Sequence, residues 1–280
     1  MNWDWIQDSL VICLNGSAML AMGLALPVSQ VMETLNNRIP LLLGLLVNLL
    51  VAPLLALALS HSMSFAAPAA LGLMLCAAAP GGNTGPLLSS NARGSIAYSV
   101  TLVIILSFAS LVTLPVYLEL AGSAEQLSIP VGRILILILS FHIAPLLAGM
   151  LVHHYWPATG QRFSRYFRFL ANVALLALTI LLLALRWQAL VANGWIPLIA
   201  MLLFVLAMLA LGLVVLPSRA YARSLSMTTA TRNLSLALLL GSQVFKDPQT
   251  MMTVLAYGLV WVSITVPLSF YLGKDGATST

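Results

Sequence analysis

The chain has 280 residues, of which 61% are hydrophobic and 7% charged, and its mean hydropathy is +1.02. A soluble domain carries roughly 25% charged residues, so a soluble enzyme, a nucleic-acid-binding domain and a disordered chain are excluded. The net charge of +5 comes from basic residues scattered over many loops, which mark membrane topology and form no nucleic-acid patch.

A membrane-spanning helix needs about 20 apolar residues. Nine stretches qualify in chain order: 9–27, 39–60, 66–91, 95–118, 130–152, 169–185, 194–216, 222–244 and 248–272. No stretch shows the short alternating pattern of a transmembrane barrel strand. The sequence therefore reads as an all-α polytopic membrane protein forming a single membrane domain over 1–280. Asp4 and Asp8, with no Lys or Arg nearby, argue against a cleavable signal peptide at the start. Cys13 and Cys76 lie in apolar runs and read as free, packed thiols.

Alternating the loops across the bilayer puts Arg38, Arg93, Arg162, Arg165, Arg168, Arg219, Arg223 and Lys274 on one side and Arg133, Arg186 and Lys246 on the other. The positive-inside rule makes the first side cytoplasmic, with the N-terminus outside and the C-terminus inside an inner membrane. Trp3, Trp5, Trp187 and Trp195 then fall at the outer interface and Trp156 at the inner one. The carboxylates Asp4, Asp8, Glu33, Glu119, Glu125, Asp247 and Asp275 all fall in loops or tails. No span offers the buried acid that a proton pump or acid-dependent cation carrier needs.

Two spans differ from the rest. The third contains Pro80-Gly81-Gly82-Asn83-Thr84-Gly85-Pro86, which cannot continue a regular helix. A proline kink alone would need only one of these residues. The eighth contains Ser226, Thr228, Thr229, Thr231, Arg232, Asn233 and Ser235. Small polar residues also serve helix packing, but Arg232 lies roughly 14 Å along a helix from Arg223, near mid-membrane. A charge there costs at least about 2.5 kcal/mol, so Arg232 is expected to face a polar cavity or the other broken helix. Broken helices in corresponding places of two halves point to a transporter site. An offset of five spans means opposite topology, hence an inverted repeat with one helix missing from the first copy. Freed backbone N–H groups and half-helix N-termini favour an organic anion.

These residues resemble the bile acid:sodium symporter family. Ala79-Pro80-Gly81-Gly82-Asn83-Thr84 is similar to its Pro-Gly-Gly signature, and Ala92-Arg93-Gly94-Ser95-Ile96-Ala97-Tyr98-Ser99-Val100-Thr101 to the turn that follows. Met22-Gly23-Leu24-Ala25-Leu26 resembles its first panel helix. Asn48 stands five residues before Pro53, where the family has Gln before Pro, and Thr228 to Asn233 sits where it has Glu-x-x-x-Gln-Asn. The resemblance implies nine helices, as in members lacking the first of ten. It also implies a panel of spans one, five and six rocking against a core of spans two to four and seven to nine, with two discontinuous helices crossing in the core.

The resemblance further implies sodium sites built of oxygen ligands, and here the sequence departs from it. The family's Ser-Asn is Gly85-Pro86, its threonine is Val103, its glutamate Thr228 and its glutamine Arg232. Asn48, Ser99 and Thr229 remain as a possible ion site. Arg232, Asn233, Asn83, Thr84, Thr228 and Thr231 are the candidate substrate-binding residues. A guanidinium about 4 Å from sodium repels it by about 4 kcal/mol at an effective dielectric near 20. Two readings stand: Arg232 replaces a bound cation and pairs with the substrate carboxylate, or it points away and sodium binds through backbone carbonyls. His142 reads as a proton relay or a packing residue, and Trp261 and Ser263 as cavity lining or helix packing. His153 and His154 mark the start of a basic loop.

The functional expectation is a secondary carrier of an organic anion, a carboxylate or sulfonate on an apolar body, with sodium coupling doubtful. The partners are that small anion and the lipid bilayer, with no nucleic acid and no cofactor besides a possible Na+. A passive channel or sensor on the same scaffold is the alternative, as is a symporter that keeps sodium through backbone carbonyls. A paired-aspartate intramembrane protease is excluded, since no span holds an Asp; an intramembrane enzyme of another kind is the minor alternative, and the sequence has neither the His-Glu-x-x-His of a metalloprotease nor a Gly-x-Ser.

Overall fold

The computed structural model of the chain describes residues 3–25, 34, 37–124, 129–192 and 194–274. Helix is the only regular structure among them, as expected for backbone that must satisfy its own hydrogen bonds in lipid. In chain order these are α1 (Trp3–Leu24), α2 (Arg38–Ser62), α3 (Ala67–Ala78), α4 (Gly85–Asn91), α5 (Ile96–Ala124) and α6 (Val131–Tyr155). Then come α7 (Pro157–Ala192), α8 (Ile196–Val215), α9 (Arg219–Ala230), α10 (234–245) and α11 (Pro248–Lys274).

Seven of these helices, α1, α2, α5, α6, α7, α8 and α11, are long and apolar enough to cross a membrane. The chain is a multi-pass membrane protein. The two remaining predicted spans are each divided into halves, α3 with α4 and α9 with α10, too short to cross alone. Outward-facing stripes carry large apolar side chains. On α2 the stripe runs through Ile39, Leu42, Leu46, Leu50 and Leu54, and on α7 through Phe169, Val173, Leu176 and Ile180. Such continuous exposed apolar surface fits lipid.

Several span boundaries shift from those expected. The expected short sixth span, 169–185, is the middle of the 36-residue α7. That helix is about 54 Å long at 1.5 Å per residue, so its exposed first turns carry Arg162, Arg165 and Arg168 beyond the apolar stretch. It bends at Arg186, whose φ is −124° and ψ 19°. Asp4 and Asp8 lie in the first turns of α1, and Glu119 near the end of α5, not in loops. Leu26, Pro27, Glu33, Glu125 and Asp275 fall outside the described residues.

Prolines shape the long helices. In α2 a π-helical turn, Val47–Val51, precedes Pro53, and in α6 another, Ile138–Ile143, precedes Pro145. Each inserts a residue where a proline removes a helix donor. Pro115 in α5 and Pro267 in α11 each stand at the twentieth helical position (115−95 and 267−247). Each of these two helices follows a broken segment.

Helix α1 packs against α6 and α7, α8 against α9, and α11 against α3. Glycines set the closest approaches. A Cβ on Gly149 would lie 2.6 Å from the Leu20 carbonyl oxygen, so α1 and α6 touch backbone to backbone. At one end of this group Arg186 pairs with Asp4 at 2.9 Å. At the other, the Leu24 carbonyl lies 2.7 Å from His153 Nδ1, and Ser164 donates to the Ala21 carbonyl at 2.8 Å. His153 is therefore buried and tied to α1, where the sequence suggested only a loop marker.

Candidate functional site

The breaks are shorter than the polar stretches that announced them. Helix α3 stops at Ala78 because Pro80 forces Ala79 out of helical geometry, at φ −95° and ψ 82°. Pro86 does not break a helix; it sits in the first turn of α4, where its missing N–H is harmless. Gly81 takes φ +78°, a conformation that favours glycine. In the second segment only Thr231–Asn233 unwind. Ser226, Thr228 and Thr229 remain inside α9.

The two breaks cross and pair. The Gly82 N–H donates to the Thr231 carbonyl at 2.9 Å, and the Asn233 N–H donates to the Ala79 carbonyl at 3.0 Å. A Cβ on Gly82 would lie 2.5 Å from the Thr231 oxygen and 2.7 Å from the Arg232 oxygen. Glycine is what lets the strands approach. The ends of the half-helices are satisfied locally. Tyr257 donates to the Ala230 carbonyl at 3.0 Å, and Asn233 Oδ1 caps α10 by accepting from the Leu236 N–H at 3.1 Å.

Arg232 is 1% exposed, and its guanidinium lies between α2 and α3. Nε donates to the Cys76 carbonyl at 3.3 Å, Nη1 to Asn48 Oδ1 at 2.7 Å, and Nη2 to the Asn48 carbonyl at 3.3 Å and to the Ala77 carbonyl. Prolines free these acceptors. The helical donor for the Cys76 carbonyl would be residue 80, a proline. The helical donor for the Asn48 carbonyl would be Ala52, which bonds Val47 in the π turn instead; the next candidate is Pro53. Asn48 Nδ2 donates to the Gly44 carbonyl and to Thr229 Oγ1, each at 2.9 Å. Arg232, Asn48 and Thr229 thus form one buried cluster on the negative end of α3.

Ser99 and Thr228 lie together, their hydroxyls 2.5 Å apart. The Thr231 hydroxyl turns back to the Met227 carbonyl at 2.8 Å and faces its own helix. Asn83 is exposed and Thr84 half-buried beside the crossing.

Asn233 joins a second cluster, which sequence reasoning had only in part. Its Nδ2 lies 3.4 Å from His142 Nε2, and His142 Nδ1 lies 3.3 Å from Asn15 Oδ1. Ser235 donates toward Asn15 Oδ1 at 3.1 Å and Asn233 Oδ1 at 2.9 Å, and Asn15 Nδ2 donates to the Phe141 carbonyl at 2.6 Å. That carbonyl has lost its helical donor to Pro145. Because Asn233 Oδ1 is held by the α10 cap, its amide presents N–H to His142. The histidine then accepts at Nε2 and donates at Nδ1. Asn15 was legible only as a lone amide in an apolar run. Trp261 is buried with an indole N–H that has no partner among the described residues, while Ser263 bonds the Leu259 carbonyl and is exposed. No group of three His, Cys, Asp or Glu able to hold a metal occurs among the described residues.

The chain is 29% identical over 160 residues to a rice (Oryza sativa subsp. japonica) protein named probable sodium/metabolite cotransporter BASS2, chloroplastic, covering 56% of this chain and 38% of that one. It is 28% identical over 150 residues to the uncharacterized sodium-dependent transporter YocS of Bacillus subtilis, covering 54% of this chain and 46% of that one. It is 31% identical over 131 residues to the bovine (Bos taurus) P3 protein, covering 45% and 27%. The matches thus span less than half the length of these relatives. The profile of the Sodium Bile acid symporter family matches residues 11–193, well over half of the chain, and the chain belongs to that family.

Proposed function

We propose that the chain is a secondary-active carrier of an organic anion, working by alternating access across an inner membrane. The observation that carries this reading is the backbone pairing between the two interrupted helices, Gly82 with Thr231 and Asn233 with Ala79. Irregular backbone at membrane depth is tolerated only where it is enclosed by protein or lines a cavity, and crossing half-helices are how carriers build such a place.

In this reading α3–α4 and α9–α10 each count as one span, which makes nine. Helices α1, α6 and α7 form the panel and the others the core, with the N-terminus outside. The panel meets the crossing through Asn15 and His142 on one side and Asn233 and Ser235 on the other. Rocking parts this contact, and the anion enters beside it. Asn83 and Thr84 line the approach and Asn233 supplies an amide N–H. Thr228 and Thr231 have their hydroxyls committed elsewhere and serve the crossing's structure.

Counterflow in proteoliposomes tests the assignment. Vesicles preloaded with an unlabelled 2-keto acid, hydroxy acid or sulfonate should show trans-stimulated uptake of the labelled compound. Uptake without trans-stimulation identifies a channel, and no uptake of any anion in the series refutes the carrier reading.

A further inference from the structure

Two of these relatives are named for sodium, and the family resemblance implies ligands for it at the crossing, so the geometry must answer whether these residues fit a sodium ion. At the first position Gly85 and Pro86 bring no side-chain oxygen, Val103 is apolar, and the Ser99 and Thr228 hydroxyls are hydrogen-bonded to each other. At the second, the oxygens suited to a hard cation are the carbonyls of Cys76, Ala77 and Asn48 together with Asn48 Oδ1. Arg232 donates to all four. The residues do not fit a sodium ion.

We propose that the Arg232 guanidinium is the resident cation of the crossing, seated on carbonyls orphaned by Pro80 and Pro53, and that sodium neither occupies this seat nor drives transport by this chain. A planar fork with five donors suits several acceptors spread over two helices. It also places a positive charge at the C-terminal end of α3, where the helix dipole favours one. A sodium ion about 4 Å away would lose roughly three decades of affinity. With four of its contacts made inside the protein, the guanidinium has an anchoring role, and the anion is read by neutral groups. The proposal takes the carrier reading as given only for its transport assay.

Binding of ²²Na⁺ to the purified full-length chain tests it without reference to any substrate. Wild type should show no saturable binding up to about 100 mM, and its thermal unfolding should be the same in sodium, potassium and choline chloride. Arg232→Gln, which removes the charge, should gain saturable ²²Na⁺ binding and a melting temperature that rises with sodium alone. Arg232→Lys, which keeps the charge, should remain indifferent to sodium. Saturable wild-type binding overturns the proposal, as does a folded Arg232→Gln that binds none; if that variant does not fold, the wild-type measurement decides by itself. In counterflow, equal exchange in sodium and choline is expected. Exchange in sodium only refutes this proposal, whereas exchange in neither medium refutes the carrier reading and leaves the binding result to decide this one.

Discussion

Replacing Gly82 with alanine is the most direct challenge to the crossing. The new Cβ would stand 2.5 Å from the Thr231 oxygen, 2.7 Å from the Arg232 oxygen and 3.0 Å from the Thr231 carbonyl carbon. All three are backbone atoms, so no rotamer change relieves the contact. The two strands must move apart by several tenths of an ångström, and the Gly82 to Thr231 hydrogen bond of 2.9 Å weakens or breaks. Overpacking of a tight core costs about 1–3 kcal/mol, and losing one hydrogen bond adds about 0.5–1.5 kcal/mol. The expected loss is about 2–4 kcal/mol, which lowers the melting temperature on the order of 5 °C or more. Gly16→Ala is the control, since a Cβ there meets nothing within 4 Å, and alanine in a helix interior should be neutral or slightly stabilising. Thermal unfolding of the detergent-purified proteins measures both. If Gly82→Ala melts with Gly16→Ala, the backbones do not pair as described and the argument for a built crossing fails.

Tyr257→Phe leaves the Ala230 carbonyl without its donor at the end of α9, and an unfolding scan should show a loss of about 1–2 kcal/mol; an unchanged scan means the hydroxyl holds nothing. Asn15→Leu and His142→Leu should each destabilise. Because both belong to one hydrogen-bond network, the double variant should fall short of the sum by about 0.5 kcal/mol or more; strict additivity would show that the helices are not joined there. Trp261→Phe removes a buried N–H that has no partner among the described residues, which offsets part of the packing lost with the smaller ring, so an unfolding scan should show a loss below about 2 kcal/mol. A larger fall would count against an indole N–H without a partner.

Much of the architecture is legible in one dimension because lipid makes the code simple. A helix crossing hydrocarbon must be apolar along its length and satisfy its own backbone, so composition and run length locate the apolar centres of the long helices, though not their polar ends, as the extra turns of α7 before residue 169 show. Pro80, Gly81 and Gly82 report their break equally directly, since proline lacks a donor and glycine accepts φ values that other residues avoid. An arginine among apolar residues needs acceptors somewhere, and its need is plain from the sequence alone. Which acceptors answer it is not. The carbonyls of Cys76, Ala77 and Asn48 belong to every sequence equally, and they become a cation seat only when two proline-disturbed helices lie side by side. Likewise Thr228 and Thr229 look alike in the chain, yet one bonds Ser99 and the other Asn48, because neighbouring positions on a helix point in different directions. Asn15 and His142, 127 residues apart, meet only through the packing of α1 against α6. Sequence therefore showed which segments are apolar enough for a membrane and where two helices fail. Tertiary structure decided which freed backbone groups face one another, because hydrogen bonding is short-ranged and directional, whereas burial in lipid is felt by every residue of a span alike.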